Sequence, residues 1–185
     1  MRRFCVGFFG NAVFFTALLL GMSGCHRNSK YSEPQELPYK VAGANDCKII
    51  NMQTQFKKYS VRVITIGQDY LVSIPSKQLF ANESPRLTWE SYKLLNGVAC
   101  YLKQFRKIAV TVTAFSNRCV SQRRARALTS ARAREVGDYL WSQGVDSRFI
   151  FTQGLGSDKP IMSLTGMGDL SPNSRVEITF RDAVA

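Results

Sequence analysis

IAVTVTAF (residues 108–115) passes through Ser116-Asn117 into VSQRRARALTSARAREVGDYLWSQ (residues 120–143), which Gly144 stops. The first piece is rich in β-branched residues and alternates well enough to predict one strand. The second places Leu128, Ala131, Val136, Tyr139 and Leu140 at spacings that predict a helix with one apolar side. Upstream, Val61, Val63, Ile64 and Ile66 lead to a break at Gly67-Gln68-Asp69. Tyr70 to Ile74 then resumes until Pro75, which is a hairpin signal. Residues 88–104 read as a helix, with Leu87, Tyr92, Leu95, Val98, Ala99 and Leu102 near helical spacing and Thr88 as N-cap. Downstream, Arg148 to Thr152 is a short strand closed by Gly154 and Gly156, and Arg175 to Phe180 is a final alternating strand. The order β-β-α-β-α-β-β predicts an α/β (α+β) fold, a mixed β-sheet with helices packed on one face.

The N-terminus reads differently. Arg2-Arg3, an apolar stretch and small Ser23-Gly24 before Cys25 make a secretory signal. The 19 residues from Phe4 to Met22 are also long enough to remain as an uncleaved span. Gly7, Gly10, Asn11, Thr16 and Gly21 interrupt that run and favour cleavage. Met22-Ser23-Gly24-Cys25 resembles the lipobox of bacterial lipoproteins, with Met22 where Leu is usual. The resemblance implies lipidation of Cys25, and each buried CH2 of the acyl chains adds ~0.8 kcal/mol to the anchor. His26, rather than Asp, follows the cysteine; by resemblance to the enterobacterial sorting rule this implies the outer membrane. The expected organisation is a signal peptide over 1–24 and a lipidated N-terminus with polar tether over 25–58. A short ordered piece is read within that tether from Asp46 to Gln55, and a periplasmic domain fills 59–185.

The chain carries 25 Lys and Arg against 13 Asp and Glu, a net charge of +12. The signal takes away Arg2 and Arg3 and no acid, so 23 basic residues face 13 acidic ones and the mature net charge is +10. Outside the cytoplasm such charge points to headgroups, wall polymers or acidic protein faces. Export argues against nucleic acid as a partner. Cys47, Cys100 and Cys119 remain after lipidation, an odd number that allows one internal bridge at most. The expectation is that Cys100 and Cys119 are small buried residues, with a Cys47 bridge to one of them as the alternative. No C-x-x-C pair is present to suggest a zinc knuckle or a redox dithiol. The one histidine, His26, lies in the tether, so the domain can build neither a histidine triad nor a histidine metal site. Its carboxylates form no evident pair for hydrolysis, although two brought together in space keep a wall hydrolase as the enzymatic alternative. These points predict a non-catalytic protein with no cofactor and no metal. Tyr92, Tyr101 and Trp141 read as core or core-edge residues. Gly154-Leu155-Gly156 with Lys159 reads as a turn, because neither glycine-rich phosphate fingerprint is complete.

Several motifs recur in order. Val110-Thr111-Val112 leads to Ser116-Asn117, followed by Leu128-Thr129-Ser130-Ala131-Arg132-Ala133 and Gly144-Val145 with Arg148. Gly154-Leu155-Gly156 with Pro160 and Asn173-Ser174-Arg175-Val176-Glu177-Ile178 complete the set. With Leu79-Phe80 upstream, the set is similar to the OmpA-like C-terminal domain of peptidoglycan-associated lipoproteins, over residues 59–182. That family reads T-D-x-x-G, L-S-x-x-R-A, G-x-G-x-x-x-P and N-R-R-V-E-I. The resemblance implies a ligand in the peptide stem of peptidoglycan, gripped at diaminopimelate by an Arg of the helix and an Asp of the loop before it. Arg132 matches the Arg, whose planar fork suits a carboxylate. Phe80 and Leu128 are implied at the same site. Asn117 stands where the family has Asp, Ser116 replaces Thr, Val120 replaces Gly, and Ala125 replaces a usual Asn. A hydrogen bond to a charged group contributes ~1.5–3 kcal/mol against ~1 for a neutral one, so Asn117 weakens a grip on an ammonium. Two functions follow: a peptidoglycan-associated anchor of the outer membrane, or a protein–protein scaffold that has lost wall binding. The short lipidated form, the altered site and the basic helix are further similar to small OmpA-like lipoproteins of type IV secretion systems. That implies envelope or secretion-complex proteins as partners. Arg123, Arg124, Arg126 and Arg134 read as a solvated basic face, with Arg132 alone turned to the site.

Overall fold

The computed structural model describes residues 46–117, 121–163 and 168–183. The signal segment, Cys25, Cys119 and Val120 lie outside the described residues. The elements are α1 (Asp46–Lys57), β1 (Arg62–Ile66), β2 (Asp69–Pro75), α2 (Ser91–Leu102), β3 (Ala109–Phe115), α3 (Gln122–Ser142), β4 (Phe149–Gly154) and β5 (Arg175–Arg181). Short 3-10 turns occupy Ser76–Gln78 and Gly168–Leu170. The ordered piece read near Asp46 is α1, which buries Phe56 edge-on against Tyr101 of α2.

Five strands form one sheet in the order β1-β2-β5-β3-β4. β3 and β4 run parallel, and every other neighbouring pair is antiparallel. The mixed sheet follows from the connections. A two-residue turn at Gly67-Gln68 joins β1 to β2, with Gly67 at a φ of 61° that a side chain disfavours. The α3 crossover makes β3 and β4 parallel. Alternation then sorts the two faces. Val72, Ile178 and Val112 pair across three strands and are fully buried, as are Ile74, Val176 and Ala114 in the next row. They join Leu94, Leu95, Val98 and Leu102 of α2 and Ala133, Val136 and Leu140 of α3 in one core. On the other face Ile64, Leu71, Thr179, Thr111 and Phe151 form a row across all five strands. Ile64 and Phe151, at its ends, are exposed.

α3 lies close over β4. A Cβ on Gly154 would overlap the backbone of Ser130, and one on Gly137 would come within 2.6 Å of the Thr152 methyl. Ser121 caps the helix, its hydroxyl accepting from the Arg124 amide at 3.2 Å.

The structure corrects several local readings. Thr88 does not cap α2. Phe80 and Leu87 form an isolated antiparallel bridge, and the Thr88 amide donates to the Leu79 carbonyl at 2.9 Å. That ladder holds Thr88 outside the helix, which begins at Ser91. Cys100 is exposed rather than buried, because Leu94, Leu95, Val98, Ala99, Tyr101 and Leu102 take the inner face of α2. Cys47 and Cys100 are both free, so Cys47 forms no bridge to Cys100. Tyr92 and Trp141 face outward, Trp141 with 76% of its surface exposed, whereas Tyr101 is buried as expected. On α3 the inner side is Ala125, Thr129, Arg132, Ala133, Val136, Gly137 and Leu140, shifted slightly from the apolar pattern by a buried arginine.

Candidate carboxylate-binding site at Arg132

Arg132 comes from the middle of α3 and has no exposed surface. Its Nη1 and Nη2 each donate to one oxygen of Asp169 at 2.7 Å, and its Nε donates to the Ser84 carbonyl at 2.9 Å. The Phe80 ring lies 4.9 Å from the guanidinium carbon, close enough for a cation–π contact. Three fixed partners therefore set the plane of the fork and the direction in which it grips. Asp169 sits on the Gly168–Leu170 turn, and its Oδ2 also accepts from the Glu83 amide at 2.8 Å. Burial pushes the Asp169 carboxyl upward, but the Arg132 hydrogen bonds, the Glu83 amide and the Arg132 charge outweigh it and hold it below the ordinary carboxylate value.

Asn117 follows the end of β3 and is also buried. Its amide donates to the Ser174 hydroxyl at 2.9 Å, and its Oδ1 accepts from Asn173 Nδ2 at 3.3 Å. The Ser174 hydroxyl in turn donates to the Gly168 carbonyl at 2.9 Å. Asn117 and Arg132 are thus linked through one loop, 168–174, that turns back before β5. Asn173 ties that loop to a second one, its Oδ1 accepting from the Ile161 and Met162 amides at 2.9 and 3.1 Å. Thr129 fastens α3 to the turn after β4, its hydroxyl accepting from the Gly156 amide at 3.0 Å.

Of the residues singled out in the sequence, Phe80 and Arg132 are in contact, and Leu128 stands half-buried one turn before Arg132 on α3. Asn117 joins them only through the loop. Asn117 and Arg132 are both buried. A cleft of about 540 Å³ meets the site from the aspartate's side, lined by Lys77, Phe80, Asn82, Glu83, Gly168, Asp169 and Leu170. Sequence reading missed Asp169 and Ser84 as partners of Arg132, and it singled out Asn173-Ser174 only as part of the last motif. Asp169 lies 37 residues from its partner in a stretch without periodicity, and its only signal was to be one of few acids before the last strand.

The basic face of α3 is as expected. Arg123, Arg124, Arg126 and Arg134 are exposed. Arg124 pairs with Glu83 and Arg126 with Asp158, each at 3.3 Å. Among the described residues no group of acidic, cysteine or histidine side chains could hold a metal ion. No described helix is long and apolar enough to cross a membrane.

Residues 79–168 match the OmpA family. The probable lipoprotein YiaD of Escherichia coli is 31% identical over 135 residues, 73% of this chain and 62% of that protein. The peptidoglycan-binding protein ArfA of Mycobacterium tuberculosis is 36% identical over 99 residues, 54% of this chain and 30% of that one. The chain therefore spans less than two thirds of the length of either relative. Among solved structures, the cell wall anchor of the T6SS from Pseudomonas aeruginosa superposes with a TM-score of 0.63 at 28% identity. That match covers 72% of this chain and 96% of the other.

Proposed function

We propose that this chain, whose OmpA-like domain matches the OmpA family over residues 79–168, is a non-catalytic lipoprotein anchor of the cell envelope. Cys25 carries the lipid, residues 25–58 give reach, and the domain engages the peptide stem of peptidoglycan from the periplasmic side of the outer membrane. One observation carries the reading. Arg132 presents a guanidinium held by Ser84 and Phe80 in a geometry that already grips a carboxylate with both arms at 2.7 Å. A peptide-stem carboxylate needs the same two parallel hydrogen bonds. The printed descriptions of ArfA as peptidoglycan-binding and of the Pseudomonas structure as a cell wall anchor support the same reading.

The test uses the full-length lipoprotein in detergent, sedimented with purified peptidoglycan. Wild-type protein is expected in the pellet. Arg132→Lys keeps the charge but loses the fork, and retention should fall. Asn117→Asp restores an anion and should raise it. Absence of the wild type and of Asn117→Asp from the pellet would sink the reading.

The neutral Asn117 and the enclosure of Arg132 favour a second function, a protein–protein scaffold in an envelope assembly such as a type IV secretion complex. In that case the protein stays in the supernatant and copurifies from solubilised envelopes within a large complex.

A further inference from the structure

We propose that Asp169 is an internal ligand of Arg132, a built-in carboxylate that any wall-borne carboxylate must displace; this rests on the reading that Arg132 is the wall-binding residue. A guanidinium fully removed from water needs an anion at all times. Asp169 satisfies it in the manner a ligand would, through two parallel bonds of 2.7 Å. The two partners are not held equally. Arg132 is fixed from α3, from the Ser84 carbonyl and from the Phe80 ring. Asp169 rides on a three-residue turn outside the sheet, its carboxylate held besides Arg132 by the Glu83 amide alone among the bonds described, and its turn fastened through the Ser171 amide and the Ser174 hydroxyl to the Gly168 carbonyl.

Its side chain is also the more accessible, 11% exposed against none for Arg132. The neighbouring cleft reaches the pair on that side, between Phe80 and Glu83, with Lys77 on its wall. A carboxylate entering there meets a wall that carries Lys77 and Glu83, and it meets Asp169, which lines the cleft, before Arg132, which does not. Exchange of one carboxylate for another leaves Arg132 paired throughout, so the affinity read from outside is the difference between the two grips. A ligand without a carboxylate has nothing to exchange. Asp169 is thus a specificity-determining residue: it sets both what can enter and how tightly it must bind.

The experiment is the same sedimentation of full-length lipoprotein with peptidoglycan, adding Asp169→Asn. Retention is expected to rise about tenfold, the scale of one charged contact no longer competing. It should fall again in Asp169→Asn with Arg132→Lys. Thermal melting shows whether each variant is folded. If Asp169→Asn does not fold, amide exchange of the wild type decides. On adding a soluble peptide stem that ends in diaminopimelate, the Ser171 and Ser174 amides should exchange several-fold faster as the turn lets go. Unchanged or slower exchange there would overturn the proposal. So would a folded Asp169→Asn retained no better than a wild type that does bind, and the wall-binding reading would then stand alone. Should wild type, Asp169→Asn and Asn117→Asp all stay in the supernatant, both readings fall together.

Discussion

Arg132 holds a full positive charge with none of its surface in water, and everything near it answers to that fact. Breaking a buried pair by removing one partner costs about 3–5 kcal/mol, because the other charge is left desolvated. Arg132→Ala is therefore expected to lower the unfolding free energy by that order, read from urea titration. A loss of binding in that variant reports the fold as much as the site, whereas Arg132→Lys keeps the charge. The pH response has a definite sign. The folded-state value of Asp169 lies below its ordinary 3.8, so its contribution is fully present above that value and is lost as pH falls through the lower one. Between pH 5 and pH 2 the wild type should lose stability more steeply than Asp169→Asn. This residue also marks where the sequence stopped being legible. Arg132 was found through its motif, and Asn117 through its departure from one. Asp169 belongs to no motif, and pairing across 37 positions leaves no periodic trace.

At the scale of elements, local pattern is a good guide until a tertiary contact overrides it. The hairpin, α2, α3 and the three later strands fall where the spacing of apolar residues puts them. The departures are specific. Thr88 has a capping side chain, but the Phe80–Leu87 bridge claims its backbone first. At the other end of α2, Lys107 bends back to donate to the Leu102 and Phe105 carbonyls at 2.7 and 3.2 Å. Burial pulls that amine down to about 8, with Asp146 and Asp182 resisting and Lys103 assisting. The unfolded chain binds this proton up to the ordinary 10.5, so stability should rise with pH between about 8 and 10.5. Lys107→Met should flatten that rise in melts taken across the interval. The α3–β4 contact makes a sharper demand. Gly154→Ala drives a methyl into the Ser130 backbone, and overpacking of this kind costs about 1–3 kcal/mol or more, measurable as a drop in Tm.

Over the whole molecule, the sheet has one committed face and one open face, and the two should respond differently. Ile178→Ala in the buried row is expected to cost about 2–5 kcal/mol. Phe151→Thr at the end of the open row should change stability by about 0.5 kcal/mol or less, both read by urea unfolding. Alternation in the sequence predicted the two faces, but periodicity carries no record of which strands become neighbours. β5 is the last strand in the chain and the middle strand of the sheet. It is paired along seven positions with β2 and along six with β3. A chain that emerges N-terminus first therefore holds two unsatisfied strand edges until residue 181 is free. Until then the hairpin on one side and the β3–α3–β4 unit on the other share no ladder. Such edges invite pairing with other chains. The keystone of this sheet is its last described strand, so a chain cut short before Arg175 leaves two parts of the sheet with no ladder between them.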